Sequence, residues 1–146
     1  MKNLLVAIDR PKDADKLLDQ AIVLGKSTGA KIWIIHVSEA EPEDYLEREA
    51  GPQFKFDELA KERKEALANI QQRVESIKKG HNLEVEGQLI TGAVTKSIKK
   101  LVDQWNIDLV IAGHRKKNLI YGLFTENKKK DLINVLNVPL LAVPLG

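Results

Sequence analysis

Residues 4–8, 32–37, 109–112 and 140–145 are apolar almost without interruption. A run without alternation suits a strand covered on both faces, as in a parallel sheet. Helical stripes separate these runs. Leu17, Leu18, Ala21, Ile22 and Leu24 repeat with helical spacing after Asp13, and Gly29 stops that helix. Leu59, Leu67, Ile70, Val74 and Ile77 form one face of a helix from about residue 57 to Gly80, with Lys and Glu opposite. Val94, Ile98, Leu101, Val102 and Trp105 form a third stripe. Leu132, Ile133 and Leu136 form a fourth, in a helix expected from about Asn127. The first forty residues read as a strand–helix–strand unit, a crossover that is almost always right-handed.

One further strand is of a different kind. Leu83, Val85, Gly87 and Leu89 alternate with Glu84, Glu86 and Gln88, which leaves one side polar and marks an edge. The last run contains Pro144, which has no N–H to donate, so it too belongs at an edge. The sequence therefore predicts strands near 3–9, 31–37, 83–90, 108–113 and 139–145 in an α/β fold. This is a three-layer open parallel five-stranded sheet with helices on both faces. Residues 38–56, rich in Glu with Pro42, Gly51 and Pro52, read as a long surface connection.

With 146 residues the chain reads as a single domain over 1–146, and it shows no internal repeat. It has no cysteine, which removes disulfides, thiolate catalysis and zinc–thiolate sites and suits a reducing cytoplasm. The apolar run at the N-terminus spans five residues, too short for a signal peptide or a membrane span, so a cytoplasmic protein is expected. A net charge of +2 is too small to argue for nucleic acid or an anionic membrane.

In open sheets of this kind a ligand crevice lies beyond the carboxyl ends of the strands, where strand order reverses. Those ends carry Asp9, Val37, Gly92 and Gly113. Gly113 opens a basic loop, Arg115, Lys116 and Lys117, ahead of the last helix. Strand, glycine, loop and helix together can present backbone N–H groups to a phosphate. A solvated loop is the more usual reading of such a basic run, and a turn cap is the simpler reading of Asp9. His36, His81 and His114 have no metal-ligand spacing, and no nucleophile motif is present, so neither a metal site nor an enzyme is expected. Trp33 and Trp105 read as core or sheet-facing residues.

Taken in order, LLVAID, IIHV, ITGAV, DLVIAGHR and VPLLAVPL resemble the landmarks of the universal stress protein family across essentially the whole chain. The resemblance implies an adenine-nucleotide α-hydrolase-like sheet in the order 3-2-1-4-5. ATP-binding members carry G-x2-G-x9-G-[ST] after the fourth strand. Here Gly113 keeps the first position, while Lys116, Glu126 and Asn127 occupy the other three. Lys116 adds a side chain where the loop must stay tight. Glu126 puts a carboxylate where a helix N-terminus would hold phosphate, favourable to the dipole by ~0.3–1 kcal/mol and repulsive to a second anion. In this respect the chain looks like the universal stress protein A branch, which lacks the motif.

That branch implies a non-enzymatic stress-response regulator with no cofactor. It would act as a homodimer through strand 139–145 and through protein partners the sequence does not identify. The alternative is a sensor of ATP or AMP with Mg, its ligand held near Asp9, Val37, Gly92, Gly113, Arg115 and Asn127.

Overall fold

The computed structural model describes residues 1–38, 52–91, 94–114 and 135–145. Its elements are β1 (Asn3–Ile8), a 3₁₀ turn (Pro11–Asp13), α1 (Ala14–Thr28), β2 (Lys31–Ser38), α2 (Pro52–His81), β3 (Val85–Thr91), α3 (Val94–Gln104), β4 (Leu109–His114) and β5 (Leu140–Pro144). The strands form one sheet in the order β3-β2-β1-β4-β5, and every pairing is parallel. Both expected edges, the alternating strand and the proline-bearing one, lie at the outside.

Alternation along β1 divides the core between the two faces. Leu4, Val6 and Ile8 pack with Leu17, Leu18 and Ala21 of α1 and with Ile70, Val74 and Ile77 of α2. Leu5 and Ala7 point the other way, to Ile98, Leu101 and Val102 of α3. Each fully buried Leu or Ile of this kind stabilises by ~1.5–3 kcal/mol. Gly29 ends α1 in the left-handed region at φ 73°, its N–H donating to the Gly25 carbonyl at 2.8 Å.

Two boundaries differ from the sequence reading by more than one residue. The alternating strand begins at Val85, two residues later than its pattern suggests. Helix α2 begins at Pro52, inside the stretch expected to be a surface connection. Proline at the first helical position lacks an N–H that would be unpaired there anyway, and its fixed φ suits the turn. A Gly–Pro pair, read as a loop, is here a helix start. The fourth helix falls outside the described residues, apart from Val135 at its end. Leu136 and Val138, just after it, pack on the α3 side of the sheet.

The N-terminal end of the sheet is fastened by polar and aromatic contacts. Trp33 stacks on Trp105 with ring centroids 4.3 Å apart and planes 15° from parallel. Lys31 Nζ lies 4.0 Å from the Trp33 ring centroid. Trp33 Nε1 donates to Asn3 Oδ1 at 3.1 Å, and Asn3 Nδ2 donates to the Asn106 carbonyl at 3.3 Å. Asp108 Oδ2 accepts from the backbone N–H groups of Lys2 at 2.7 Å and Asn3 at 2.9 Å. Those backbone donors hold the Asp108 carboxyl below its ordinary pKa.

Gly87 sets how closely α2 approaches the sheet. A Cβ at this position would sit 2.2 Å from Ile70 Cγ2 and 3.0 Å from Val74 Cγ2. Gly87→Ala should therefore destabilise the fold by about 1–3 kcal/mol through overpacking. In urea unfolding, Ile70→Ala should cost less in the Gly87→Ala background than alone. Strict additivity would show that the close approach does not matter.

Candidate functional site at the carboxyl ends of the strands

Strand β1 is the point at which the sheet order reverses, paired to β2 on one side and to β4 on the other. Ligands of open α/β sheets bind outside such a point. Register decides which residues gather there. Ile8 lies beside His36, and His36 beside Leu89 of β3. Ala7 lies beside Ala112, so Gly113 follows one step on, next to Ile8. Asp9 leaves the end of β1 between these neighbours. The geometry thus brings Asp9, Val37 and Gly113, three of the expected site residues, to one end of the sheet. Gly92, Arg115 and Asn127 lie outside the described residues, as do Lys116, Lys117 and Glu126.

Val37 contributes backbone rather than side chain. Its side chain is buried in the α3-side core. Ile32 donates its N–H to Glu84, toward β3. Lys31 donates its N–H to the Lys2 carbonyl on the β1 side, and alternation along the strand aims the Val37 N–H at Ile8, leaving the Val37 carbonyl directed past the end of β1. His36 is half-buried, and desolvation pulls its pKa below 6.5 while the Asp9 charge opposes the shift. Burial thus favours the neutral imidazole, and Asp9 lies close enough for its charge to oppose that preference.

Asp13 was not singled out by the sequence. It closes the 3₁₀ turn after Asp9, its N–H donating to the Arg10 carbonyl at 3.0 Å. It is the buried charged residue among those described. Its position before α1 resembles a capping aspartate, yet its side chain makes no cap hydrogen bond. Pro11 followed two residues later by an acid was the available signal, and it reads equally well as an ordinary helix start.

Gly113 has a packing role at the site. A Cβ added to it would lie 2.3 Å from Leu145 Cδ1 and 2.8 Å from Leu145 Cγ. Leu145 is held there by its N–H, which donates to the His114 carbonyl at 2.8 Å. Among the described residues no group of three His, Asp or Glu side chains is placed to hold a metal ion. No helix among them is long and apolar enough to cross a membrane.

The His36 environment has a pH signature. A histidine whose folded pKa is depressed contributes stability that is complete above its unfolded value. That stability is lost as pH falls from about 6.5 through the folded value. Proton NMR titration should place His36 below 6.5, and Asp9→Asn should lower it further by removing the opposing charge. A rise in Asp9→Asn would show that the two groups are not coupled in this way.

Comparison with known proteins agrees with this architecture. The sequence matches the universal stress protein family over residues 1–144. It is 23% identical over 145 residues to a universal stress protein A homolog of Haemophilus influenzae, covering 99% of this chain and 96% of that protein. The fold is similar to that of a universal stress protein from Archaeoglobus fulgidus, with a TM-score of 0.64 and 21% identity over 98% of this chain and 93% of that one. A universal stress protein from the same organism, solved in complex with dAMP, matches with a TM-score of 0.61 and 16% identity over 98% of both chains. With its sheet order and a family match along nearly its whole length, this chain belongs to the universal stress protein family.

Proposed function

We propose that this chain is a single-domain, non-enzymatic regulator of the stress response, of the universal stress protein A type. In this reading it works as a homodimer and does not hold ATP. The observation that carries the reading is the Leu145 side chain packed over Gly113. Three of the four phosphate-motif positions are occupied by Lys116, Glu126 and Asn127. Gly113 alone remains, and packing accounts for it without any nucleotide. Without glycine at those positions the sequence offers a triphosphate fewer close backbone approaches, and flexible cations such as Arg115 lose entropy in replacing them.

A nucleotide-sensor reading has one observation in its favour, the dAMP-bound relative of the same fold. A monophosphate asks less of the loop than ATP with Mg does. Asp9, the Val37 backbone and Gly113 stand at the crevice end where such a ligand would lie.

Titration calorimetry separates the two readings. The wild type should show no ATP binding with Mg up to about 100 μM, an affinity equivalent to less than ~5.5 kcal/mol. Replacing Lys116→Gly, Glu126→Gly and Asn127→Ser together should introduce binding. Low-micromolar binding by the wild type would replace the regulator reading with the sensor one.

The homodimer rests on β5. Val110 donates to the Pro139 carbonyl and Leu145 to that of His114, so the odd-numbered residues of β5 face β4. Leu140, Ala142 and Pro144 then turn their backbone outward. Pro144 sits where its missing N–H costs no bond to β4. Ala142 is exposed and keeps an outward donor, the position at which a second β5 would pair. In sedimentation at micromolar concentration the wild type should be a dimer, and Ala142→Pro should be a folded monomer. A monomeric wild type would remove the homodimer from the reading.

A further inference from the structure

We propose that the outer edge of β3 is a strand-addition site for an extended basic peptide of a partner protein. The proposal rests on the reading above that the chain acts through protein contacts, and it names where one such contact is made. The β3–β2 ladder fixes which backbone groups face outward. Ile32 donates to the Glu84 carbonyl, with Ile32 beside Val85 in register. By the alternation of parallel strands, Glu86 and Gln88 face β2 with their backbone, and Val85, Gly87 and Leu89 face away. Of the described strands, none lies beyond β3. Three consecutive outward pairs of N–H and C=O are therefore presented at the edge.

The edge has the shape of a groove. A cleft of about 400 Å³ runs beside residues 85–88, with Gln71, Glu75 and Lys78 of α2 on one wall and the Trp33–Trp105 pair on the other. Ile70 and Val74 fill the space over Gly87, which is exposed, so a second backbone would meet it from the strand edge. This is the arrangement in which main-chain bonds give affinity and alternate side chains read two different walls.

Charge selects the occupant. Glu84, Glu86 and Gln88 share the Trp33 side of the strand, and all three are exposed. Lys31 meets Glu86 at 3.0 Å from the inner side, yet the Glu86 side chain stays 57% exposed and can accept from a second cation outside. Opposite charges across neighbouring strands are stabilising, and like charges are not. An added strand is therefore favoured when every second residue is Lys or Arg on this side. On the α2 side Glu75 and Lys78 offset each other, which suits small polar residues. A second copy of this chain fits less well. Its own Glu84 and Glu86 would bring four carboxylates to one face. Self-pairing at β3 together with β5 would also leave the assembly open-ended.

The test uses a synthetic acetylated heptapeptide of alternating lysine and threonine, with the full-length protein. In the free protein, hydrogen exchange should be fast at the Val85, Gly87 and Leu89 amides and slow at Glu86, Gln88 and Ile90. The peptide should slow the first three by roughly tenfold. A peptide N-methylated at alternate amides keeps its charge and loses its edge donors, and it should give no protection. The double change Glu84→Gln with Glu86→Gln should weaken the unmethylated peptide by roughly tenfold. Equal binding of the methylated peptide, or no protection at the three amides, would overturn the proposal. So would protection that grows with protein concentration in the absence of peptide, because a second copy would then hold the edge. Ala142→Pro should bind the peptide as the wild type does. Failure at β3 with an intact dimer sinks this proposal alone, and a monomer that binds the peptide sinks only the homodimer.

Discussion

Everything in this molecule hangs on the burial of β1. Leu4, Leu5 and Val6 have no exposed surface, and the strand is hydrogen-bonded on both sides. Because successive side chains point to opposite faces, this one strand anchors α1 and α2 through one set of residues and α3 through the other. A polar residue anywhere from Leu4 to Val6 would lose hydration on a face that offers no partner. The strand order follows from the same fact: the chain places β2 and β3 on one side of β1 and then returns to fill the other.

The return creates the crevice, and the chemistry there reflects where the strands stop. Asp9 stands at the first residue after β1, where the apolar run ends and a charge can meet solvent. His36 sits one strand over at the same level, partly inside, so its neutral form is favoured. Leu145 extends the apolar layer up to Gly113 at the far side. Among the described residues the groups toward β2 are thus polar and Leu145, toward β5, is hydrocarbon. This asymmetry is visible only once register is known.

Much of the fold was legible because it is written in period and run length. The continuous runs named four strands, the alternation of residues 83–90 named an edge, and Pro144 named the other. The start of α2 was not legible, because Gly51–Pro52 signals a turn as strongly as it signals the first residue of a helix. Asp9, Val37 and Gly113 could be placed at one end of the sheet by rule, since parallel strands end on the same side. Asp13 could not, because its burial depends on α1 folding back against β1. Trp33 and Trp105 were readable as sheet-facing but not as partners. They are 72 positions apart in sequence, and only the β2–α3 packing brings the rings together.

That stack has a spectroscopic consequence. The chain contains two tryptophans, and both are in it. Rings this close couple their electronic transitions, so absorption and circular dichroism in the tryptophan bands carry a paired signal instead of two separate ones. The signal is a gauge of one joint, the seam between β2 and the end of α3. It lies at the end of the sheet opposite Asp9 and Gly113. Intrinsic fluorescence will therefore follow the fastening of the amino-terminal end of the sheet closely and stay nearly silent to events in the crevice.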